Sequence, residues 1–175
     1  MSIRNYKDHT PNLGKNCYID ESAQVIGQVV IGDNSSVWPL VTIRGDVNSI
    51  RIGKNTNVQD NSVLHVTHEN PQSPPGGFPL VIGDNVTIGH GVILHGCKIG
   101  NHCLIGMGSS ILDGAVVEDN VLVAAGSLVA QNKKVTSGYL WMGRPAKPIR
   151  ELTEDELKWL KYSSQHYVKL KDDYL

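Results

Sequence analysis

The sequence predicts an all-β solenoid followed by one C-terminal α-helix. Three observations carry this: a composition skewed to β-branched residues and glycine, a six-residue repeat of aliphatic anchors, and a capping box opening an amphipathic segment near the C-terminal end. The 175 residues include 19 Val, 14 Ile and 18 Gly against 6 Ala and 10 aromatics. That balance favours strands and tight turns over helix.

An aliphatic residue recurs every six positions: Ile19, Val25, Ile31, Val37, Ile43; then Ile52, Val58, Leu64; then Ile82, Ile88, Leu94. After one hexad shortened to five, the count resumes at Ile99, Ile105, Ile111, Val117, Val123 and Val129. The fourth residue after an anchor is usually small or β-branched, as in Ala23, Val29, Ser35, Thr56, Ser62, Val92 and Ser109, which suits a narrow interior. A period of six fits neither a helix nor plain alternation. It fits short strands joined by Gly-containing turns, each hexad forming one side of a triangular coil, and the seventeen anchors predict between five and six coils. The string Ile82-Gly-Asp-Asn-Val-Thr-Ile88-Gly resembles the hexapeptide repeat of left-handed parallel β-helix proteins. The left hand is what that resemblance implies; it runs against the usual right-handed crossover.

Residues 1–18 read as a lead-in and 19–134 as the solenoid. Three extra residues interrupt the count around Arg44-Gly-Asp46-Val47, and twelve more, rich in Pro and Gly, form a loop insertion near 68–80. Loops on a rigid scaffold are where function is commonly placed. Residues 135–152 read as a connector. Thr153-Glu-Asp-Glu156 is a capping box with acids in the first turn. Leu157, Leu160, Ser164, Tyr167 and Lys171 share one face of the helix expected over 153–175, laid along the solenoid.

With 16 Lys+Arg against 17 Asp+Glu, the chain has no excess of positive charge with which to bind nucleic acid or an anionic membrane surface, and neither is expected as a partner. No apolar run approaches membrane-spanning length, and the polar N-terminus has no signal-peptide core. Cys17, Cys97 and Cys103 are too few and odd in number for a disulfide framework, so a reducing cytoplasm is expected. Cys97 and Cys103 read as small core residues rather than redox switches.

Numbering the triangle's faces from Ile19 puts Ile43, Leu64 and Leu94 on face two of successive coils. The residues after them, Arg44, His65 and His95, then form one column with neighbours roughly 4.8 Å apart. Two imidazoles at that spacing can share a metal with Zn–N near ~2.1 Å. His90 falls on face one, in a column with Asp60. A residue there joins His65 and His95 if face one of one subunit meets face two of the next, so the expectation is a homotrimer with intersubunit metal sites. Three neutral His leave a coordination position open, as in catalytic zinc, where bound water acquires a pKa of about 7.

Arg44-Gly-Asp46, Gln59-Asp60, Leu64-His65 and Gly89-His90-Gly-Val-Ile-Leu-His95-Gly together resemble the gamma-class carbonic anhydrase family, as do Met142-Gly-Arg-Pro-Ala and the closing helix. The resemblance implies reversible hydration of CO2 to bicarbonate by metal-bound hydroxide. His65, His90 and His95 would ligate Zn2+, with Fe2+ or Co2+ as alternatives, and His90 would come from across the trimer interface. Arg44 and Asp46 match the family's interface ion pair, and Gln59 and Asp60 the pair that orients the hydroxide. Where well-known members carry proton-transferring acids, this chain has Val47 and His68. An ordinary histidine titrates near ~6.5, so His68 takes the shuttle role in this reading, with Glu69 as the alternative at the loop mouth. Tyr167 aligns with a helix residue that reaches the site in relatives.

Two rival readings fit the same residues. Hexapeptide-repeat solenoids include acyltransferases that use a catalytic His without metal, and relatives of the gamma class include thioesterase-like proteins, so an acyl-CoA substrate is one alternative. A non-enzymatic, metal-stabilised trimeric scaffold is the other.

Overall fold

The computed structural model describes residues 2–175. Face one stacks Tyr18–Ile19, Ser36–Val37, Asn57–Val58, Thr87–Ile88, Leu104–Ile105, Leu122–Val123 and Tyr139–Gly143 as parallel neighbours. Face two stacks Ile3–Arg4, the first parts of Gln24–Ile31 and Thr42–Ile52, then Val63–His65, Ile93–His95, Ser110–Ile111 and Leu128–Val129. Face three stacks Asn12–Leu13, the second parts of the same two long strands, then Leu80–Ile82, Lys98–Ile99, Val116–Val117 and Lys134–Val135. The chain is thus a parallel β-solenoid whose rungs follow the hexad anchors.

From Val25 to Val129 the anchors are at most 3% exposed. Burying each such side chain contributes roughly 1.5–3 kcal/mol. Where the repeat is unbroken the small or β-branched fourth residues are equally enclosed, and their hydroxyls bond backbone carbonyls: Ser35 Oγ to Gly53 O (2.8 Å), Thr56 Oγ1 to Gly83 O (2.9 Å), Ser62 Oγ to Gly89 O (3.0 Å). A polar atom inside the narrow coil is tolerated because the next rung's backbone satisfies it. One corner column is built mostly from asparagine instead of glycine: Asn16, Asn34, Asn55, Asn85 and Asn120, with His102 between the last two, all have φ between 53° and 57°. Asn is among the few side chains that enter this left-handed region readily. Asn16 bonds Asn34 at 3.3 Å and Asn55 bonds Asn85 at 3.2 Å, tying coil to coil.

Three boundaries differ from expectation. The solenoid begins before residue 19, because Ile3 and Leu13 pair with Val25 and Ile31, so among the described residues each face has seven rungs. It also runs past 135. Trp141, six after Val135, occupies an anchor position and is buried, and Ala146–Glu151 folds back antiparallel on its strand, covering that edge. The residues around Arg44-Gly-Asp46 do not leave the coil. They lie within the continuous strand Thr42–Ile52, against a register shift between Gly27 and Val29. Gly45 permits this contact, since a Cβ there would meet Gln28 O at 2.6 Å. The longer insertion does leave as a loop, closed by the bridge Thr67 to Phe78.

The helix α1 (Glu154–Leu170) has the expected capping box, with the Thr153 side chain and Glu156 bonding reciprocally. Arg150 and the Thr153 backbone hold the Glu156 carboxyl down to about 2. Leu160, Ser163 and Ser164 are buried against face one, and Thr87 Oγ1 meets Ser163 Oγ at 2.9 Å. Lys171, wholly enclosed just beyond the helix, bonds Asp172 at 2.6 Å.

Candidate metal centre

The register carries His65 and His95 to one place, because Leu64 pairs with Leu94 and His65 with His95 on adjacent rungs of face two. Their rings lie 5.1 Å apart between centroids, with His65 Nδ1 3.0 Å from His95 Nε2. The outer nitrogen of each meets a carboxylate: His65 Nε2 lies 3.0 Å from Asp46 Oδ1, and His95 Nδ1 lies 2.7 Å from Asp113 Oδ1. Asp46 also pairs with the Arg44 guanidinium. Burial, with the Arg44 and His95 charges adding to it, pushes His65 below its ordinary 6.5 despite the opposing pull of Asp46. Asp46 is desolvated, yet the hydrogen bonds from His65 and Arg44 leave its carboxyl below the usual range. At neutral pH the site therefore contains a neutral His65 and an ionised Asp46.

If both rings donate their outer N–H to carboxylates, the nitrogens facing each other are both lone pairs. Such a pair repels unless a cation lies between them. Two bonds near ~2.1 Å to one tetrahedral zinc would hold the ligand nitrogens about 3.4 Å apart; the pair stands at 3.0 Å, so the rings would have to part by a few tenths of an ångström to take the ion, and the all-imidazole donors suit zinc.

The second cluster is on face one. Asp60 Oδ2 lies 2.9 Å from His90 Nδ1, and the His90 side chain is 49% exposed. Gln59 is buried beside them. Its Nε2 donates to Asn57 Oδ1 at 3.1 Å, Asn57 Nδ2 donates to Thr87 Oγ1 at 3.1 Å, and Thr87 meets Ser163 on α1. The helix thereby sets the pose of Gln59 through two intervening side chains. Tyr167 packs edge-on against Trp38 at 5.6 Å, and burial, with the Asp60 charge, raises its phenol. It belongs to the face-one cluster. A cavity of about 390 Å³ runs from Gln59 and His90 between α1 and face one, lined chiefly by Leu104, Met107, Leu122 and Trp159.

The structure brings Arg44, Asp46, His65 and His95 together, and separately Gln59, Asp60, His90 and Tyr167. No three His, Cys, Asp or Glu side chains among the described residues could hold a metal within one protomer. His68 is exposed on the loop and its side chain hydrogen-bonds to neither cluster, while Glu69 Oε2 is occupied by the Gly76 N–H at 2.8 Å. Sequence reasoning missed Asp113 and Thr67. Asp113 lies two residues past the anchor Ile111, one rung beyond His95, and an outward carboxylate there was the available signal. Cys97 and Cys103 are buried, free and raised by that burial, Cys103 to about 12, as expected of core thiols.

Residues 10–45, 79–111 and 96–131 match the family model described as bacterial transferase hexapeptide (six repeats), the repeat for which a left-handed β-helix was expected. The chain is 54% identical over 173 residues to Protein YrdA of Escherichia coli (strain K12), covering 99% of this chain and 94% of that one. It is 44% identical over 169 residues to gamma carbonic anhydrase 2, mitochondrial, of Arabidopsis thaliana, covering 97% of this chain and 60% of the relative. Among solved structures, a hexapeptide transferase family protein from Anaplasma phagocytophilum superposes with a TM-score of 0.91 at 42% identity, covering 99% and 98% of the two chains. With the rung-by-rung solenoid and the motifs that position the two histidine clusters, these similarities make the chain a member of the gamma-class carbonic anhydrase family of hexapeptide-repeat proteins.

Proposed function

We propose that this protein interconverts CO2 and bicarbonate as a zinc-dependent homotrimer, each site combining His65 and His95 of one subunit with His90 of the next. The observation that carries the proposal is the facing pair His65 Nδ1 and His95 Nε2, 3.0 Å apart, with both outer nitrogens on carboxylates. His90, exposed on the adjacent face with its own carboxylate, supplies a third ligand when subunits close head to tail. Three neutral imidazoles would hold zinc with a coordination position open, and the ion would there supply a hydroxide-strength nucleophile at neutral pH.

The chain's own residues prepare the ground for that chemistry. Asp46, braced by Arg44, fixes the His65 ring, and Asp60 does the same for His90. Gln59 offers its carbonyl oxygen to a hydroxyl, and because its amide is already held by Asn57, it needs no reorganisation during reaction. In this reading the proton leaves for solvent through buffer or through the exposed His68 of the loop. Three free thiols suit a reducing cytoplasm.

The test is stopped-flow CO2 hydration on anaerobically purified protein of measured metal content and mass. The expected result is a trimer with about one zinc per subunit and hydration that disappears on metal removal. Full occupancy without hydration would favour the scaffold reading. The apolar cavity beside His90 favours the acyl-CoA alternative, although no Lys or Arg lines it to meet a CoA phosphate; acyl-CoA turnover by metal-free protein would establish that alternative instead.

A further inference from the structure

We propose that Asp113 is a positioning residue for His95: it holds the imidazole with Nδ1 protonated, so that the Nε2 lone pair faces His65, and Thr67 aligns the carboxylate. The inference rests on the metal reading above. The contacts form a closed set. Asp113 Oδ1 takes His95 Nδ1 at 2.7 Å, Asp113 Oδ2 accepts from Thr67 Oγ1 at 2.8 Å, and Thr67 Oγ1 lies 3.5 Å from His95 Nδ1. Both carboxylate oxygens are thus directed, one at the ring and one at the hydroxyl.

The backbone is shaped to admit this carboxylate. Gly96, immediately after His95, has φ +51°, and a Cβ at that position would strike Asp113 Oδ1. The same Cβ would lie 2.7 Å from Phe78 Cβ, and one on Gly114 would lie 2.9 Å from Phe78 Cε1. Gly96 therefore leaves the space that Asp113 fills, and Phe78 packs across both glycines, with Asn132 Oδ1 over Gly114. Thr67 and Phe78 are joined by two backbone hydrogen bonds of 3.1 and 2.9 Å, so the base of the loop insertion is built into the support of His95.

Asp113 and Asp46 do different work. Asp46 shares its charge with Arg44, whereas among the described residues no Lys or Arg pairs with Asp113. Asp113 therefore turns its charge on His95 with only the neutral Thr67 hydroxyl sharing the carboxylate. A carboxylate behind a ligating histidine both selects its tautomer and raises its basicity.

The test uses metal-free protein titrated with Co2+ against a competing chelator, with the visible absorption spectrum recorded at saturation. Asp113→Asn and Asp113→Ala are expected to weaken Co2+ binding by about 10–100-fold and to alter the spectrum, with the chain folded by circular dichroism. Asp113→Glu should recover part of the affinity, and Thr67→Val should lose only a small part of it. The near-isosteric Asp113→Asn serves if Asp113→Ala fails to fold. Wild-type affinity and spectrum in Asp113→Asn, with binding lost in His95→Ala, would overturn the positioning role and leave the three-histidine reading standing. Wild-type Co2+ binding by His95→Ala would overturn both.

Discussion

The two histidine clusters differ in how much of their order comes from a single chain. On face two, His65 and His95 face each other across adjacent rungs, each backed by a carboxylate, and the His65 side chain is only 18% exposed. On face one, His90 has one carboxylate and is 49% exposed, while its neighbour Gln59 is buried and tethered to the helix. The comparison separates a preorganised pair of ligands from a ligand awaiting a partner. Register provides the first, because identical positions on stacked rungs superpose; only association brings in the second.

The most drastic way to break the asymmetry is to remove its ends separately. His65→Ala and His90→Ala should each abolish metal binding, measured by elemental analysis, though they lie on different faces. Unfolding the two variants and refolding them together should restore about a quarter of the sites, the fraction in which an intact face two meets an intact face one in a randomly mixed ring. No recovery, with mixed trimers verified by mass, would place the third ligand elsewhere. Gln59→Ala should keep its metal and lose about 10²-fold in hydration rate, as when a preorganised hydrogen-bonding group is removed from a reacting centre.

A smaller effect is expected from pH. Burial keeps folded His65 below 6.5, so between 6.5 and its folded value the unfolded chain binds a proton that the folded chain refuses. Stability of the metal-free protein should therefore fall as pH drops through that window, followed by thermal melts, and the slope should flatten in His65→Gln. The least effect on the site is expected from Thr153→Ala. It removes the helix cap at a cost of about 1 kcal/mol, seen in denaturant unfolding, while metal content stays unchanged.

Much of this arrangement was legible in the residues. The hexads place every anchor from Val25 to Val129 in the core, and counting rungs through the loop insertion aligns His65 with His95, because the insertion leaves and re-enters without disturbing the register. The ends were less legible: Ile3 and Leu13 are ten residues apart, and Trp141 fills an aliphatic position with an aromatic ring. The segment Arg44-Gly-Asp46 kept to its strand because Gly45 packs on the Gln28 backbone, a tolerance that extra residues in a count do not reveal. Asp113 escaped notice because the repeat specifies what points inward, whereas outward positions are set by neighbours one rung away. Its partner Thr67 sits where the repeat has already broken.

Placing the two clusters on different faces ties chemistry to abundance. If each site spans two subunits, diluting the protein below its assembly constant would silence it while every solenoid remained folded, and metal would bind more tightly as protein concentration rose. Metal supply and subunit concentration would then act as substitutes, each able to compensate for scarcity of the other.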